Sequence, residues 1–263
     1  RRHTRLQGDW SSDVCSSDLK TSIGHIAVYM KQSESYNVPL ILLHGVYFDH
    51  HLWDYQISKI KDRTVVAIDM PLHGESREII KPDWTLSDCA DMLIEILDKL
   101  NYEKVIAAGH SWGSMTILRA ASKHPERFEA IGLCNMPFKA ATSRQRRLFR
   151  LQHTMLTFRK FYTKQAAKSL FGYTSLSGNP GLLKQLERPM NRLSGRQVRE
   201  IDKKVIVDAE DTTPLILDLK MRAMALKGAE DYVPTPPRIP TVVIEGGHVD
   251  RKSTRLNSSH LVI

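Results

Sequence analysis

Short, continuous apolar runs alternate along this chain with segments of helical periodicity. PLILLHG (39–45), TVVAIDM (64–70) and KVIAAGH (104–110) are apolar on consecutive residues, as are strands buried on both faces of a sheet. Between the last two runs, Thr85 is a candidate N-cap and apolar residues recur after it at helical spacing. Strands that alternate with helices predict an α/β fold with a mostly parallel sheet and flanking helices.

The alternation breaks at Phe138. From there to about Tyr232 the pattern indicates helical and irregular structure, and TVVIEGG (241–247) then resumes the pattern of a buried strand after the proline-rich VPTPPRIP (233–240). One sheet is therefore interrupted by a helical insertion. We predict a core over residues 20–137, an insertion over 138–233 and a return to the core over 234–249.

The two ends of the chain are related as nucleic acid rather than as protein. DWSSDVCSSDL (9–19) and DRKSTRLNSSH (250–260) can be encoded by the two complementary strands of one nucleotide string. That string resembles the adapter ligated to both ends of short-read sequencing libraries. We therefore expect residues 1–19 and 250–263 to be adapter-derived, to make few tertiary contacts and to lie outside the domain.

Composition narrows the class of protein. The cysteines Cys15, Cys89 and Cys134 are odd in number and form no CxxC, which argues against a disulfide framework or a zinc site and favours a cytoplasmic protein. No apolar run is long enough for a transmembrane helix, and the N-terminus has no secretory pattern. Neither a metal nor an organic cofactor is predicted, and the sequence leaves the oligomeric state open.

A candidate nucleophile lies in the motif Gly109-His110-Ser111-Trp112-Gly113, which fits G-x-S-x-G. A predicted strand precedes the motif and a predicted helix follows it. This is the setting of a nucleophile elbow, in which a sharp turn lifts the serine oxygen above the sheet. Glycines flank the serine because the strained turn leaves no room for larger side chains.

A second glycine, Gly45, ends an earlier predicted strand. In the elbow interpretation, the loop after that strand supplies one backbone N–H to an oxyanion hole and the residue after the nucleophile supplies the other. The predicted donors are the amides of Val46 and Trp112.

Three segments together resemble the α/β-hydrolase family: HGVYFDHHLWD (44–54), DMPLHGES (69–76) and GHSWGS (109–114). The resemblance covers residues 20–249 except the helical insertion, which lies where that family carries its lid. It implies an active site at the carboxyl ends of the strands, with Ser111 as nucleophile.

In this family, an acid and then a histidine follow the serine along the chain. The resemblance places the acid just after TVVIEGG, near Val249, and the histidine one strand later; His248 precedes the expected place for both. Asp250 and His260 belong to the adapter-derived segment. We therefore expect the last strand and helix to be missing and this chain to be inactive, whereas its parent gene encodes an active enzyme.

The insertion is strongly basic, because residues 139–184 contain no Asp or Glu within a chain of net charge +9. We expect a lid helix with its apolar stripe, from Leu148 to Phe158, over the pocket and its basic face in solvent. The alternative is attraction of an anionic substrate or a membrane surface. Nucleic acid is not expected as a partner, because no reading motif accompanies the charge.

These observations predict a serine hydrolase acting on a small-molecule substrate, a carboxylic ester or a lactone. Ser rather than Asp at the elbow weighs against epoxide hydrolase chemistry. Hydrolysis of a C–C bond and proline iminopeptidase activity use the same parts and stay open. A non-catalytic binding protein of the same fold is the alternative from another class.

Overall fold

A computed structural model describes residues 14–179 and 181–249 of the chain. In this part, the sheet has eight strands in the order β1-β2-β4-β3-β5-β6-β7-β8. The strands are β1 (Val14–Lys20), β2 (His25–Lys31), β3 (Leu40–Leu43), β4 (Val65–Ile68), β5 (Val105–His110), β6 (Phe128–Cys134), β7 (Arg222–Gly228) and β8 (Thr241–Ile244). Strands β3 to β8 run parallel, and β1 and β2 are antiparallel to their neighbours. The predicted α/β architecture with a mostly parallel sheet is confirmed.

Helices flank this sheet and fill the long connection between β6 and β7. They are α1 (Asp54–Lys59), α2 (Leu86–Lys99), α3 (Trp112–Lys123), α4 (Ser143–Thr154), α5 (Arg159–Phe171), α6 (Tyr173–Gly178), α7 (Gly181–Asn191), α8 (Gly195–Ile201) and α9 (Thr213–Leu217). A π-helix, Asp202–Val207, continues from α8. Helix α2 begins where predicted, since Thr85 caps it and forms a capping box with Asp88. No helix within residues 14–179 and 181–249 has the length and apolarity needed to cross a membrane.

The continuous apolar runs are explained by burial on both faces of the sheet. In β3, Ile41 and Leu43 join the larger core cluster, whereas Leu40 and Leu42 join a second cluster on the other face. Successive side chains of a strand point to opposite faces, so a strand covered on both sides needs apolar residues at every position. The larger cluster also contains Trp84, which stacks on Trp112 with ring centroids 5.5 Å apart.

Strand β7 overturns one prediction. Arg222–Gly228 reads RAMALKG, which contains no β-branched residue and several good helix formers, so its sequence indicates a helix. Parallel pairing with β6, from Ala130↔Arg222 to Cys134↔Leu226, makes it a strand instead. The helical insertion therefore ends before Arg222 rather than at residue 233. TVVIEGG supplies the eighth strand of the described sheet, and the absence of a further strand and helix stays a prediction.

Both edges of the sheet also differ from expectation. The segment 14–19, expected outside the domain, forms most of β1, which pairs with β2 from Val14↔Lys31 to Lys20↔His25. Its side chains are mostly exposed. At the other edge Val243 in β8 is exposed rather than buried. Residues 1–13 and 250–263, the remainder of the predicted adapter-derived ends, lie outside the described residues, so their origin stays a prediction.

Helix α4 lies in the opposite orientation to the one expected. Its apolar stripe was predicted to cover a pocket, yet Leu148 is 51% exposed and Leu151 is 59% exposed. The side chain that faces the protein is His153, whose Nε2 lies 2.8 Å from the buried Oδ2 of Asp202. Leu156, which belongs to the predicted stripe, is buried in the core, whereas Leu148 and Leu151 point outward. The polar contact between His153 and Asp202, both within the insertion, accompanies this rotation of the helix.

Candidate active site

Ser111 occupies a strained turn between β5, which ends at His110, and α3, which begins at Trp112. Its backbone has φ 50° and ψ −110°, a region that non-glycine residues avoid at a cost of about 1–3 kcal/mol. The turn is held by the Ser111 amide, which donates to the carbonyl of Cys134 at 2.8 Å. The hydroxyl is consequently presented at the carboxyl end of β5, as an elbow requires.

The two elbow glycines allow close packing that a side chain would prevent. A Cβ added at Gly109 would lie 2.4 Å from the backbone carbon of Gly113, and one at Gly113 would lie 2.3 Å from the carbonyl oxygen of Leu43. Ser114 locks the same turn by donating its hydroxyl to the Gly109 carbonyl at 2.5 Å. The sequence prediction that both glycines serve the turn agrees with this geometry.

A histidine and a carboxylate complete an array with Ser111. Nε2 of His248 lies 2.9 Å from Oγ of Ser111, and Nδ1 of His248 lies 3.0 Å from Oδ1 of Asp231. All three side chains are buried. When the Nδ1–H donates to the carboxylate, Nε2 is free to accept the serine proton, which is the arrangement that activates a hydroxyl nucleophile.

This array corrects the expectation that the acid and the histidine lie beyond Val249. Asp231 follows β7 and His248 follows β8, so each stands at the carboxyl end of a parallel strand, at the same edge of the sheet as Ser111. The prediction failed because β7 was not recognised, which shifted every later assignment by one strand. The signals were the acidic residue three positions after Gly228 and the Gly247-His248 pair directly after TVVIEG.

The backbone of His248 is clamped from two sides. Nε2 of His110 donates to the His248 carbonyl at 2.7 Å, and Nδ2 of Asn135 donates to the same oxygen at 2.6 Å. The Asn135 side chain also accepts from the amide of Gly228 at 2.8 Å, which ties the end of β7 to the same point. Tyr232 stacks on the imidazole of His248 with centroids 5.2 Å apart. These contacts restrict the imidazole to the position facing Ser111.

Burial lowers the pKa of His110 to about 3, so its ring is neutral near pH 7 and carries a single proton. The bond to the His248 carbonyl requires that proton on Nε2. Nδ1 is then an acceptor, and it has no hydrogen-bond partner among the described residues. His110, the first of the two variable residues in the G-x-S-x-G motif, thus supports the backbone of His248.

The predicted oxyanion loop passes directly beside Ser111. A Cβ added at Gly45 would lie 3.1 Å from Cβ of Ser111 and 2.5 Å from Nδ1 of His110. The next residue is Val46. Trp112 is the first residue of α3, where the amide has no intrahelical acceptor. Among the backbone hydrogen bonds of the turns, loops and helix caps in the described residues, none has the amide of Val46 or of Trp112 as its donor. Their positions suit the predicted role as paired donors.

Two buried histidines fix the shape of this loop. Nε2 of His73 accepts from the amide of Tyr47 at 2.9 Å, and Nε2 of His44 accepts from the amide of Met70 at 2.8 Å. Both rings must be neutral to accept. Burial lowers the pKa of His73 to about 4 and, with the neighbouring His73, that of His44 to about 3. His73 accordingly has a structural role in this loop.

Tyr47 connects the loop to the helical insertion. It has φ 66°, a strained value for a residue with a side chain, and it directly follows Val46. Its hydroxyl donates to Oδ1 of Asp202 in the π-helix. The other carboxylate oxygen of Asp202 accepts from the hydroxyl of Tyr162 at 2.9 Å and contacts His153. A fully buried carboxylate is thereby supplied with donors from three separate segments.

Sequence comparison places these features among known proteins. A family model described as alpha/beta hydrolase fold matches residues 38–196. The chain is 34% identical over 127 residues to an (E)-2-((N-methylformamido)methylene)succinate hydrolase from Acinetobacter baylyi, an alignment that covers 48% of this chain and 47% of that protein. The chain thus spans about half the length of the curated relatives it matches.

Solved structures give the same fold at low identity. A thermophilic esterase from Thermogutta terrifontis superposes with a TM-score of 0.77 and 18% identity, covering 94% of this chain and 96% of the esterase. The enol-lactonase from Burkholderia xenovorans LB400 gives a TM-score of 0.76 and 16% identity, with 90% of this chain and 95% of the lactonase covered. With a family match over residues 38–196 and this sheet order, the chain belongs to the alpha/beta hydrolase fold family.

Proposed function

We propose that this chain is an active serine hydrolase that cleaves a small carboxylic ester or lactone. The observation that carries the proposal is the contact series from Ser111 through His248 to Asp231, at 2.9 Å and 3.0 Å. The expected inactivity depended on an acid and a histidine lying beyond Val249. With both groups beside Ser111, that reason no longer applies.

The chemistry follows from the positions of the protons. As Oγ of Ser111 attacks the carbonyl carbon, its proton passes to Nε2 of His248. The negative charge that develops on the carbonyl oxygen accepts hydrogen bonds from the amides of Val46 and Trp112. His248 then protonates the departing alkoxide, which leaves an acyl group on Ser111. A water molecule gives a proton to His248 as its oxygen attacks the acyl carbon. His248 then returns that proton to Oγ of Ser111 as the bond between Oγ and the acyl carbon breaks, and the carboxylic acid is released.

Asp231 has an electrostatic role in this scheme. It holds the imidazole in the tautomer with the proton on Nδ1 and stabilises the imidazolium that forms during each proton transfer. Its Oδ1 also accepts from the amide of Val233 at 3.1 Å, so the carboxylate is fixed before the reaction begins. Such preorganisation avoids reorientation of the acid in the transition state.

We further propose that the helical insertion is a lid over the substrate site, in a cytoplasmic enzyme that needs no cofactor. The lid proposal is supported by contacts of the insertion with both catalytic loops: Tyr47 with Asp202 beside the oxyanion loop, and the Val249 amide with the Leu170 carbonyl at 2.6 Å beside His248. The cytoplasmic assignment is supported by the free thiols of Cys15, Cys89 and Cys134.

The basic insertion and the succinate in the name of the Acinetobacter baylyi relative favour including anionic substrates in the test. The purified chain is assayed with short-chain p-nitrophenyl esters, simple lactones and a carboxylate-bearing ester, beside Ser111→Ala. We expect wild-type turnover of at least one class and loss of it in the variant, with unchanged circular dichroism. A proline-terminated peptide substrate is included in the assay, and a folded chain that binds these compounds but hydrolyses none of them would be the non-catalytic binding protein instead.

A further inference from the structure

Helix α4 and the turn after it carry large apolar side chains into solvent. Leu148, Leu151 and Met155 recur at helical spacing on one side of the helix and are 51%, 59% and 37% exposed. Phe158 follows at 71% exposure. We call these four residues the apolar stripe. His153, on the inward side of α4, contacts the buried carboxylate of Asp202. The stripe therefore cannot turn inward without breaking that contact.

Exposed basic residues precede, interrupt and follow the apolar stripe in the sequence. Between residues 143 and 164 they are Arg144, Arg146, Arg147, Arg150, Lys160 and Lys164. No Asp or Glu occurs anywhere in residues 139–184, so this segment supplies no local counter-charge. Arg144 and Arg147 lie one helical turn before Leu148 and Leu151, which places charge along the rim of the stripe. We call the stripe together with these cations the α4 surface.

The presence of both cations and apolar side chains restricts which kind of partner can bind the α4 surface. A second copy pairing through the same surface would set these arginines against each other, because a two-fold interface brings identical patches together. Phosphates of a nucleic acid would satisfy the cations and leave the apolar stripe in water. An anionic lipid surface satisfies both, since its headgroups accept from arginine and lysine while leucine and phenylalanine enter the acyl boundary.

We propose that the α4 surface docks the protein on an anionic lipid membrane. Docking is peripheral, because α4 (Ser143–Thr154) is far too short to cross a bilayer. Each cation near such a surface strengthens binding roughly fivefold, and burial of each apolar side chain adds to this. Binding must therefore depend on anionic lipid, on salt and on the stripe at the same time.

The test is co-sedimentation of the full chain with phosphatidylcholine vesicles that contain or lack phosphatidylserine. We expect sedimentation only with phosphatidylserine and release at high salt. The double variant Leu148→Ser, Leu151→Ser should lower the fraction bound at least about tenfold, and Arg144→Ser with Arg147→Ser should do the same. Matched controls are Leu217→Ser, an exposed leucine of α9, and Arg222→Ser, an exposed arginine of β7; both should bind as the wild type does.

Circular dichroism of every variant separates lost docking from lost folding, and vesicle binding needs no catalytic turnover. The proposal is overturned if the wild-type chain does not co-sediment with phosphatidylserine vesicles. It is equally overturned if the leucine variant binds them as tightly as the wild type, or if soluble polyglutamate competes fully at equal charge. The last result would identify the α4 surface as a site for an acidic protein.

Discussion

Nδ1 of His248 lies 3.0 Å from Oδ1 of Asp231, although the two residues follow different strands of the sheet. Replacing the carboxylate by an amide in Asp231→Asn should keep the shape but favour the wrong imidazole tautomer. We expect kcat toward a p-nitrophenyl ester to fall about 10⁴-fold with little change in KM. Asp218→Asn at an exposed position is the matched control. Near-normal kcat in Asp231→Asn would show that another acid serves His248.

Ser111 and His248 should act as one unit. Each of Ser111→Ala and His248→Ala is expected to lower kcat by about 10⁴ to 10⁶, because the serine hydroxyl is a weak nucleophile without its base. The double variant should be no slower than either single variant. Steady-state kinetics on the three proteins measures this. Multiplicative losses in the double variant would mean that the two side chains contribute independently.

Asn135 should influence catalysis without touching substrate. In Asn135→Asp the side chain can still accept from the Gly228 amide, but it can no longer donate to the His248 carbonyl. We expect kcat to fall roughly 10- to 100-fold at unchanged KM, since small displacements of a catalytic group have effects of this size. Asn101→Asp is the control, because Asn101 also has positive φ but is exposed. An equal effect in both variants would indicate a backbone effect alone.

Protonation of buried histidines should limit stability in acid. Burial lowers the pKa of His73 to about 4, so between about pH 6.5 and 4 the unfolded chain binds a proton at this residue that the folded chain does not. The free energy of unfolding should thus be greatest above pH 6.5 and decrease as the pH falls toward 4. The hydrogen bond to the Pro71 carbonyl, together with Asp69 and Asp202, opposes this lowering of the pKa and does not cancel it.

The variant His73→Gln isolates this contribution, because its side-chain oxygen can replace Nε2 as acceptor for the Tyr47 amide without titrating. Thermal denaturation at a series of pH values should show a shallower acid decline than in the wild type. The variant His124→Gln, at a partly exposed position, is the control for removal of an imidazole. A variant with an unchanged acid slope would place the pH dependence elsewhere, for example at His44 or His110.

Asp202 should couple the insertion to the oxyanion loop. Asp202→Ala leaves the hydroxyls of Tyr47 and Tyr162 and the ring of His153 without their shared acceptor in a buried site. Each unsatisfied group costs about 1–3 kcal/mol, so we expect a large drop in melting temperature together with a lower kcat. Tyr47→Phe, which removes one donor, should have a smaller effect in the same direction. If kcat is unchanged in a folded Asp202→Ala protein, the contact stabilises the insertion alone.

The sequence alone was sufficient to predict the central strands and to propose Ser111 as the nucleophile. Continuous apolar runs such as 40–43 and 65–68 identify strands buried on both faces, and Thr85 marks the start of α2. Ser111 was found because a G-x-S-x-G motif between a strand and a helix has a local meaning that needs no distant contact. These features depend on the residues and their immediate neighbours.

Tertiary structure decided the remainder. Arg222–Gly228 has the composition of a helix and becomes a strand because it pairs with the edge of β6. Sequence propensity does not include such a pairing with a distant strand. That one strand determines that Asp231 and His248 meet Ser111. The outward rotation of α4 was equally hidden, because it depends on His153 reaching Asp202, 49 residues further along the chain. Propensity and periodicity report local free energies, whereas the positions of Asp231 and His248 and the orientation of α4 depend on pairings between distant segments.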